Sequence, residues 1–158
     1  MINIEIEMMC GDVIKAELYP DVAPITVENF VKLINENFFD GLIFHRVIRG
    51  FMIQGGGYDA NGNHKDAASI KGEFTANGVT NNLKHTRGVL SMARTMFPNS
   101  ASSQFFIMHE DAPHLDGQYA AFGKVTEGIE AVDKIAECAT DMGDAPLEPQ
   151  VIKTIRLA

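Results

Sequence analysis

The chain has 158 residues, 46% of them hydrophobic and 22% charged, with a formal net charge of -8. That length and balance fit one domain with its own core and exclude a disordered chain. The acidic charge, with no local Lys/Arg cluster to override it, argues against nucleic acid as a partner, and no run approaches the roughly 18 apolar residues of a membrane span.

The N-terminus, "MINIEIEMMCGD", has acidic residues where a secretory signal would need a basic start and an apolar block. The expectation is a soluble cytoplasmic protein, a single domain over 1–158, in which Cys10 and Cys138 are reduced thiols rather than a disulfide. Ile2, Ile4, Ile6 and Met8 alternate with polar residues, and after the "CGD" turn Ile14, Ala16 and Leu18 alternate again, which predicts a β-hairpin with one wet face. From Pro24 the period changes: Val27, Phe30, Val31 and Ile34 predict an amphipathic helix, with the proline in the first turn where its missing N–H is harmless. Short strands are then predicted at Ile43–Ile48, Phe51–Gln54, Gly88–Ala93, Gln104–Met108 and Ala120–Val125, separated by Gly, Asn, Asp and Pro turns. A second helix is predicted from Glu127 to Cys138, and "PQVIKTIRL" reads as a last strand. Many short strands with two helices point to an antiparallel sheet closed into a barrel, its open ends covered by the helices.

Several constellations carry no chemistry. "QGGGYDANG" lacks the Lys-Ser/Thr of a phosphate-binding loop and reads as a flexible loop leaving a strand. The histidines at 45, 64, 85, 109 and 114 have no metal-ligand spacing and read as loop or surface residues. Ser91, Ser102 and Ser103 lie in no nucleophile elbow. What remains is "FHRVIRGFMIQGG" (44–56) and "GVLSMARTMFPNSASSQFFIM" (88–108), where Arg46, Gln54 and Gln104 stand among Phe51, Met52, Met92, Phe105 and Phe106. An arginine there either makes a structural ion pair, or snorkels outward, or sits at the rim of an apolar recognition pocket. Arg49, in the same stretch, reads as an ordinary surface arginine.

At these residues the sequence resembles the cyclophilins, a family of peptidyl-prolyl cis/trans isomerases. "VAPITVENFVKL", "FHRVIRGFMIQGG", "LKHTRGVLSMA", "SSQFFI" and "LDGQYAAFGKV" occur in family order and span nearly the whole chain. The resemblance implies a mainly β fold, a closed eight-stranded antiparallel barrel capped by two α-helices, with an outer groove that binds X-Pro peptides. By the same resemblance Arg46 matches the catalytic arginine and Gln54 the glutamine that holds it. Phe51, Met52, Phe106 and Leu115 match the pocket for the proline ring, and Ala93 and Gln104 match the peptide groove. Tyr119 stands where many eukaryotic members have histidine. Arg94 and Thr95 replace the Asn and Ala of the eukaryotic pattern, in a loop one residue longer, and this "MART" form is more similar to bacterial members. His114 occupies the place of a tryptophan that contacts cyclosporin in many members, so weakened cyclosporin binding is expected.

The chemistry implied is non-covalent, with no cofactor and no metal. Resonance sets a rotation barrier of roughly 20 kcal/mol about the amide. As the bond twists, the nitrogen lone pair leaves conjugation and can accept a hydrogen bond that the planar ground state cannot, so a donor aimed there binds the transition state selectively. Arginine suits this task as a permanently charged, rigid fork of donors. The expected partners are proline-containing peptides and unfolded or folding proteins, bound by a monomer. The alternative is a chaperone or binding module that holds proline segments with little turnover.

Overall fold

The computed structural model describes all 158 residues. Eight strands form: β1 (Ile2–Met8), β2 (Val13–Leu18), β3 (Leu42–Ile48), β4 (Met52–Asp59), β5 (Val89–Met92), β6 (Phe105–Met108), β7 (Ala121–Glu127) and β8 (Ile152–Leu157). Two helices accompany them, α1 (Pro24–Asn35) and α2 (Ile129–Ala136), with short 3-10 turns at Thr75–Asn77 and Pro113–Leu115. The strands make one antiparallel sheet in the order β3-β4-β6-β5-β7-β2-β1-β8. Its two edges meet through an Ile43–Val151 bridge and bonds from the Gly41 and Phe44 amides to the Ile152 and Gln150 carbonyls, so the barrel is nearly closed. Closure leaves little free edge for unwanted pairing.

The clearest departure from the sequence reading is β4. It does not end at Gln54 but continues through Gly55, Gly56 and Gly57 to Asp59, so these glycines belong to a strand and not to a flexible loop. Their role is close approach: a Cβ on Gly55 would lie 2.6 Å from the Ile43 carbonyl oxygen, and one on Gly57 would lie 2.5 Å from the Gln104 side chain. Helix α2 is shorter than predicted because β7 runs on to Glu127, and Gly128, at φ 84°, makes the corner.

Strand alternation divides the apolar residues between two cores. Phe44, Ile53, Leu90, Phe105, Ile107 and Phe122 point into the barrel with the isoleucines of β1 and β2. Their neighbours Met52, Val89, Phe106, Met108 and Ala121 point outward, where Ala112 and Leu115 from the chain after β6 cover them. Strands buried on both faces read as continuous apolar runs.

Helix α1 begins just after β2 ends, and α2 begins beside the start of β2, against Val13 and Ile14, so they lie at opposite mouths of the barrel. Phe30 of α1 plugs one mouth, its ring 5.0–5.2 Å from those of Phe39, Phe105 and Phe122. The N-cap residue of α1, Ala23, has no side chain to satisfy the first-turn amides. Glu73, from a distant loop, supplies the acceptor: its Oε1 takes bonds from the Thr26 amide (2.6 Å) and hydroxyl (2.8 Å). Both side chains are buried.

Candidate active site

Phe44 and Val47 of β3 both enter the core although they are three residues apart. Strict alternation forbids this, and β3 resolves it with an irregularity between Phe44 and Arg46 in its pairing with β4. The extra residue, His45, changes the parity of the strand, so Arg46 is aimed at solvent on the barrel's outer wall. A charge that the sequence sets in a buried strand is therefore not buried.

Arg46 lies opposite Gln54 in register. Its Nη1 donates to Gln54 Oε1 (3.3 Å), and Gln54 Nε2 in turn donates to Gln104 Oε1 (3.1 Å). The relay settles which end of the Gln54 amide faces the guanidinium, since only its oxygen can accept from arginine. Most of the five guanidinium donors of Arg46 stay free for a ligand.

Beside the relay the outer wall is dry. Met52, Phe106 and Leu115 are buried, and Phe106 sits edge-on to Tyr119 (centroids 5.8 Å, interplanar 83°). Phe51 and His114 face each other across the rim at 5.8 Å. Arg94 behaves differently from Arg46. Its guanidinium lies between the rings of Phe74 and Tyr119, 4.6 and 4.7 Å from their centroids. Its nitrogens donate to the carbonyls of Gln118 (2.6 and 3.2 Å) and Thr95 (2.9 Å). It presents the groove with a stacked plane while most of its donors hold the backbone.

Under the floor, His85 and Ser91 are buried, with Asp116 partly so, and the His85 ring stacks behind Phe106 (6.1 Å, 22°). Asp116 Oδ1 accepts from the His85 amide (2.6 Å) and Nδ1 (3.1 Å), which leaves Nε2 to accept from the Ser91 hydroxyl (2.8 Å). Burial holds the His85 pKa below the usual imidazole value against the pull of Asp116. Burial pushes Asp116 up, but the His85 donors outweigh it and keep the carboxyl below its ordinary value. The residue types are those of a hydrolytic triad. Ser91 has 0% exposure, however, and no substrate can reach its hydroxyl.

His109 is buried as well. The Gly50 amide donates to its Nδ1 (2.9 Å), which therefore carries no proton, and Nε2–H points to Asp133 Oδ1 (3.2 Å). Asp133 also receives both ends of the Arg87 fork at 2.7 Å, an ion pair that keeps its pKa low. His85 and His109 do lie in loops, as the sequence reading expects, but they are buried rather than at the surface, and each fastens a turn. His45, on β3, is half-buried, and desolvation lowers its pKa. His64 and His114 are exposed. The only sequence signal for the His85 cluster is Ser91, a polar residue inside an apolar strand that needs a partner. Arg49 is exposed, at 3.9 Å from Glu137.

Arg46, Phe51, Met52, Gln54, Ala93, Arg94, Phe106, His114, Leu115 and Tyr119 line one groove of about 400 Å³. Thr95 and Gln104 line an adjoining hollow of about 270 Å³, which shares Gln54, Ala93 and Arg94 with the groove. All twelve candidate residues are therefore brought together. The volume suits a small ligand or part of a peptide. No cluster of His, Cys, Asp or Glu is arranged to hold a metal ion.

The family model described as "Cyclophilin type peptidyl-prolyl cis-trans isomerase/CLD" matches residues 1–157. The chain belongs to the cyclophilins. It is 43% identical to the peptidyl-prolyl cis-trans isomerase of Acinetobacter baylyi, over 98% of this chain and 84% of the relative. It is 39% identical to peptidyl-prolyl cis-trans isomerase B of Escherichia coli, over 94% of each. Among solved structures, a Cryptosporidium parvum cyclophilin-type isomerase, crystallised in the presence of the dipeptide Ala-Pro, superposes with a TM-score of 0.84. It shares 31% identity, over 99% of this chain and 98% of that one. This cyclophilin is a peptidyl-prolyl cis-trans isomerase, and the eight-stranded barrel with two helices is the architecture its sequence implies.

Proposed function

We propose that this cyclophilin catalyses isomerisation in the 400 Å³ groove, with the proline ring on the Met52, Phe106 and Leu115 floor and Arg46 as the donor to the twisted amide. The observation that carries the reading is a guanidinium held by one neutral neighbour, Gln54, at the edge of a buried apolar surface. A carboxylate partner would neutralise the cation, whereas an amide oxygen orients it and leaves its charge for the substrate. The wall grips the ring while the chain preceding proline rotates, and a low local dielectric strengthens the arginine's field. The donor must reach the prolyl nitrogen, because a bond made only to the carbonyl oxygen of the rotating amide would strengthen its resonance. The relative crystallised with Ala-Pro supports a proline-containing occupant.

The substrates are proline-containing segments of unfolded and folding proteins, and the enzyme is a monomeric single domain in the cytoplasm. Two unpaired cysteines, Cys10 and Cys138, suit that reducing compartment. Arg46→Ala tests the assignment: far-UV circular dichroism stays unchanged, and kcat/KM on X-Pro peptides by exchange NMR falls about 100- to 1,000-fold, the cost of losing a transition-state donor. Wild-type turnover in a folded variant would remove Arg46 from its role. Cyclosporin inhibits weakly, since His114 offers a smaller surface than an indole, and inhibition as strong as that of a tryptophan-bearing member would contradict this.

A further inference from the structure

The loop between β5 and β6 places two large apolar side chains in water: Met96 is 85% exposed and Phe97 is 69% exposed. Single exposed apolar residues are ordinary on a protein surface. These two are adjacent, and the loop that holds them is internally fastened. The Ser100 hydroxyl accepts from the Thr95 amide and hydroxyl (both 2.9 Å) and donates to the Phe97 carbonyl (2.6 Å). The Phe97 amide donates to Thr95 Oγ1 (3.2 Å). Asn99 Oδ1 accepts from the Gly72 amide (3.1 Å) and Asn77 Nδ2 (2.9 Å), tying the tip to a second loop. At the loop's base the Arg94 plane is clamped between Phe74 and Tyr119. An apolar pair with nothing to bury would have no use for so many bonds, whereas a contact surface gains affinity when its ordering is complete before binding.

Its position says what it meets. Thr95 and Ser100, on either side of the tip, both line the 270 Å³ hollow that continues the groove through Gln54, Ala93 and Arg94. Phe97 lies two residues beyond Thr95, a reach of at most about 7 Å. A peptide leaving the groove along this hollow arrives at the tip within a few extended residues.

We infer that Met96 and Phe97 form an apolar specificity contact for extended substrates, selecting a large apolar side chain two to four residues from the proline. Methionine adapts to differently shaped partners, and phenylalanine adds a flat, rigid face. The contact makes this isomerase prefer apolar, unfolded segments over polar X-Pro loops, and it rests on the groove being the substrate site.

The test uses ten-residue peptides with a central X-Pro bond, carrying Phe or Leu at two to four residues on either side of the proline, against matched Ser peptides. For the wild-type protein, kcat/KM is higher for the apolar set by roughly five- to tenfold, through KM, the effect of one partly buried apolar contact. In the Met96→Ser/Phe97→Ser variant that preference disappears. The variant's kcat/KM on a three-residue substrate with the proline in the middle stays within about twofold of wild type, because no residue of such a peptide lies two from the proline. Absence of the preference in the wild type on both sides of the proline, or its survival in the double variant, overturns the inference. A variant that loses the preference only because the chains no longer self-associate, as read by sedimentation, also overturns it. Failure of the groove reading would show separately, as unchanged turnover in Arg46→Ala.

Discussion

Replacing Glu73 with alanine removes the acceptor that satisfies the start of α1 from 47 residues away in sequence. Thr26 keeps an amide and a hydroxyl that have lost their partner, and the site is closed to water, with Thr26 1% and Glu73 2% exposed. Hydrogen bonds to a carboxylate contribute about 1.5–3 kcal/mol each, and the two share one oxygen, so Glu73→Ala costs about 3–5 kcal/mol. In a chain of this size each kcal/mol moves Tm by roughly 2–4 °C, which places the melting shift at roughly 6–20 °C. Glu73→Gln retains an amide oxygen of the same reach and loses the carboxylate's advantage over a neutral acceptor, about 1–2 kcal/mol. Urea unfolding followed by far-UV circular dichroism gives both differences from the midpoint at constant slope. Thr26→Val should recover part of the loss in the Glu73→Ala background, because it deletes one of the two orphaned donors. A Glu73→Ala variant within about 0.5 kcal/mol of wild type would show that water or a neighbour satisfies the helix start, and the reasoning would fail.

Gln54→Ala lowers kcat about fivefold with little change in KM, the worth of one long, solvent-exposed hydrogen bond from a guanidinium. In an Arg46→Ala background the same change has almost no effect on turnover, and equal effects in both backgrounds would show that Gln54 does not act through Arg46. The stability of the barrel depends on pH through His85. Burial lowers its folded pKa below the roughly 6.5 of an unfolded chain, so the unfolded state binds more protons between the two values. The His85 contribution is therefore complete above about pH 6.5 and is lost as pH falls below it. Thermal melts between pH 7.5 and 5.5 should show Tm falling toward acid, with a shallower slope in His85→Gln. His45, shifted in the same direction, supplies the residual slope. A wild-type Tm that is flat over that interval would contradict the assignment.

The hairpin of β1 and β2 was legible because its alternation is clean, and α1 because Pro24 and the Val27, Phe30, Ile34 spacing agree. The central strands were legible as strands but not as two-faced ones: Phe105 and Phe106 read alike, yet one fills the barrel and the other floors the groove. Arg46 looked buried because a pattern cannot show the irregularity before it, which depends on how β3 pairs with β4. The glycines of β4 misled for a related reason. Glycine marks both a turn and a close backbone approach, and only the neighbouring Ile43 carbonyl and Gln104 side chain decide between them. The site residues were accessible through motif resemblance, whereas the supporting residues His85, Asp116 and His109 come from separate turns and share no spacing.

The outer core has its own cohesion. The chain from His109 to Ala120 is strapped over the sheet by bonds that include the Ala112 amide to the His85 carbonyl, the His85 amide to Asp116, Arg87 to Asp111 and the His109 carbonyl, the Ala76 amide to the Gly117 carbonyl, and Arg94 to the Gln118 carbonyl. None of these fastenings is needed to keep the barrel strands paired. The strap can open as a local unit at a smaller free-energy cost than unfolding, and its amides exchange with solvent ahead of those in β1, β2 and β6. Since Leu115 and Tyr119 ride on the strap, a chain warmed toward its melting point sheds its isomerase surface while its circular dichroism still reports an intact barrel.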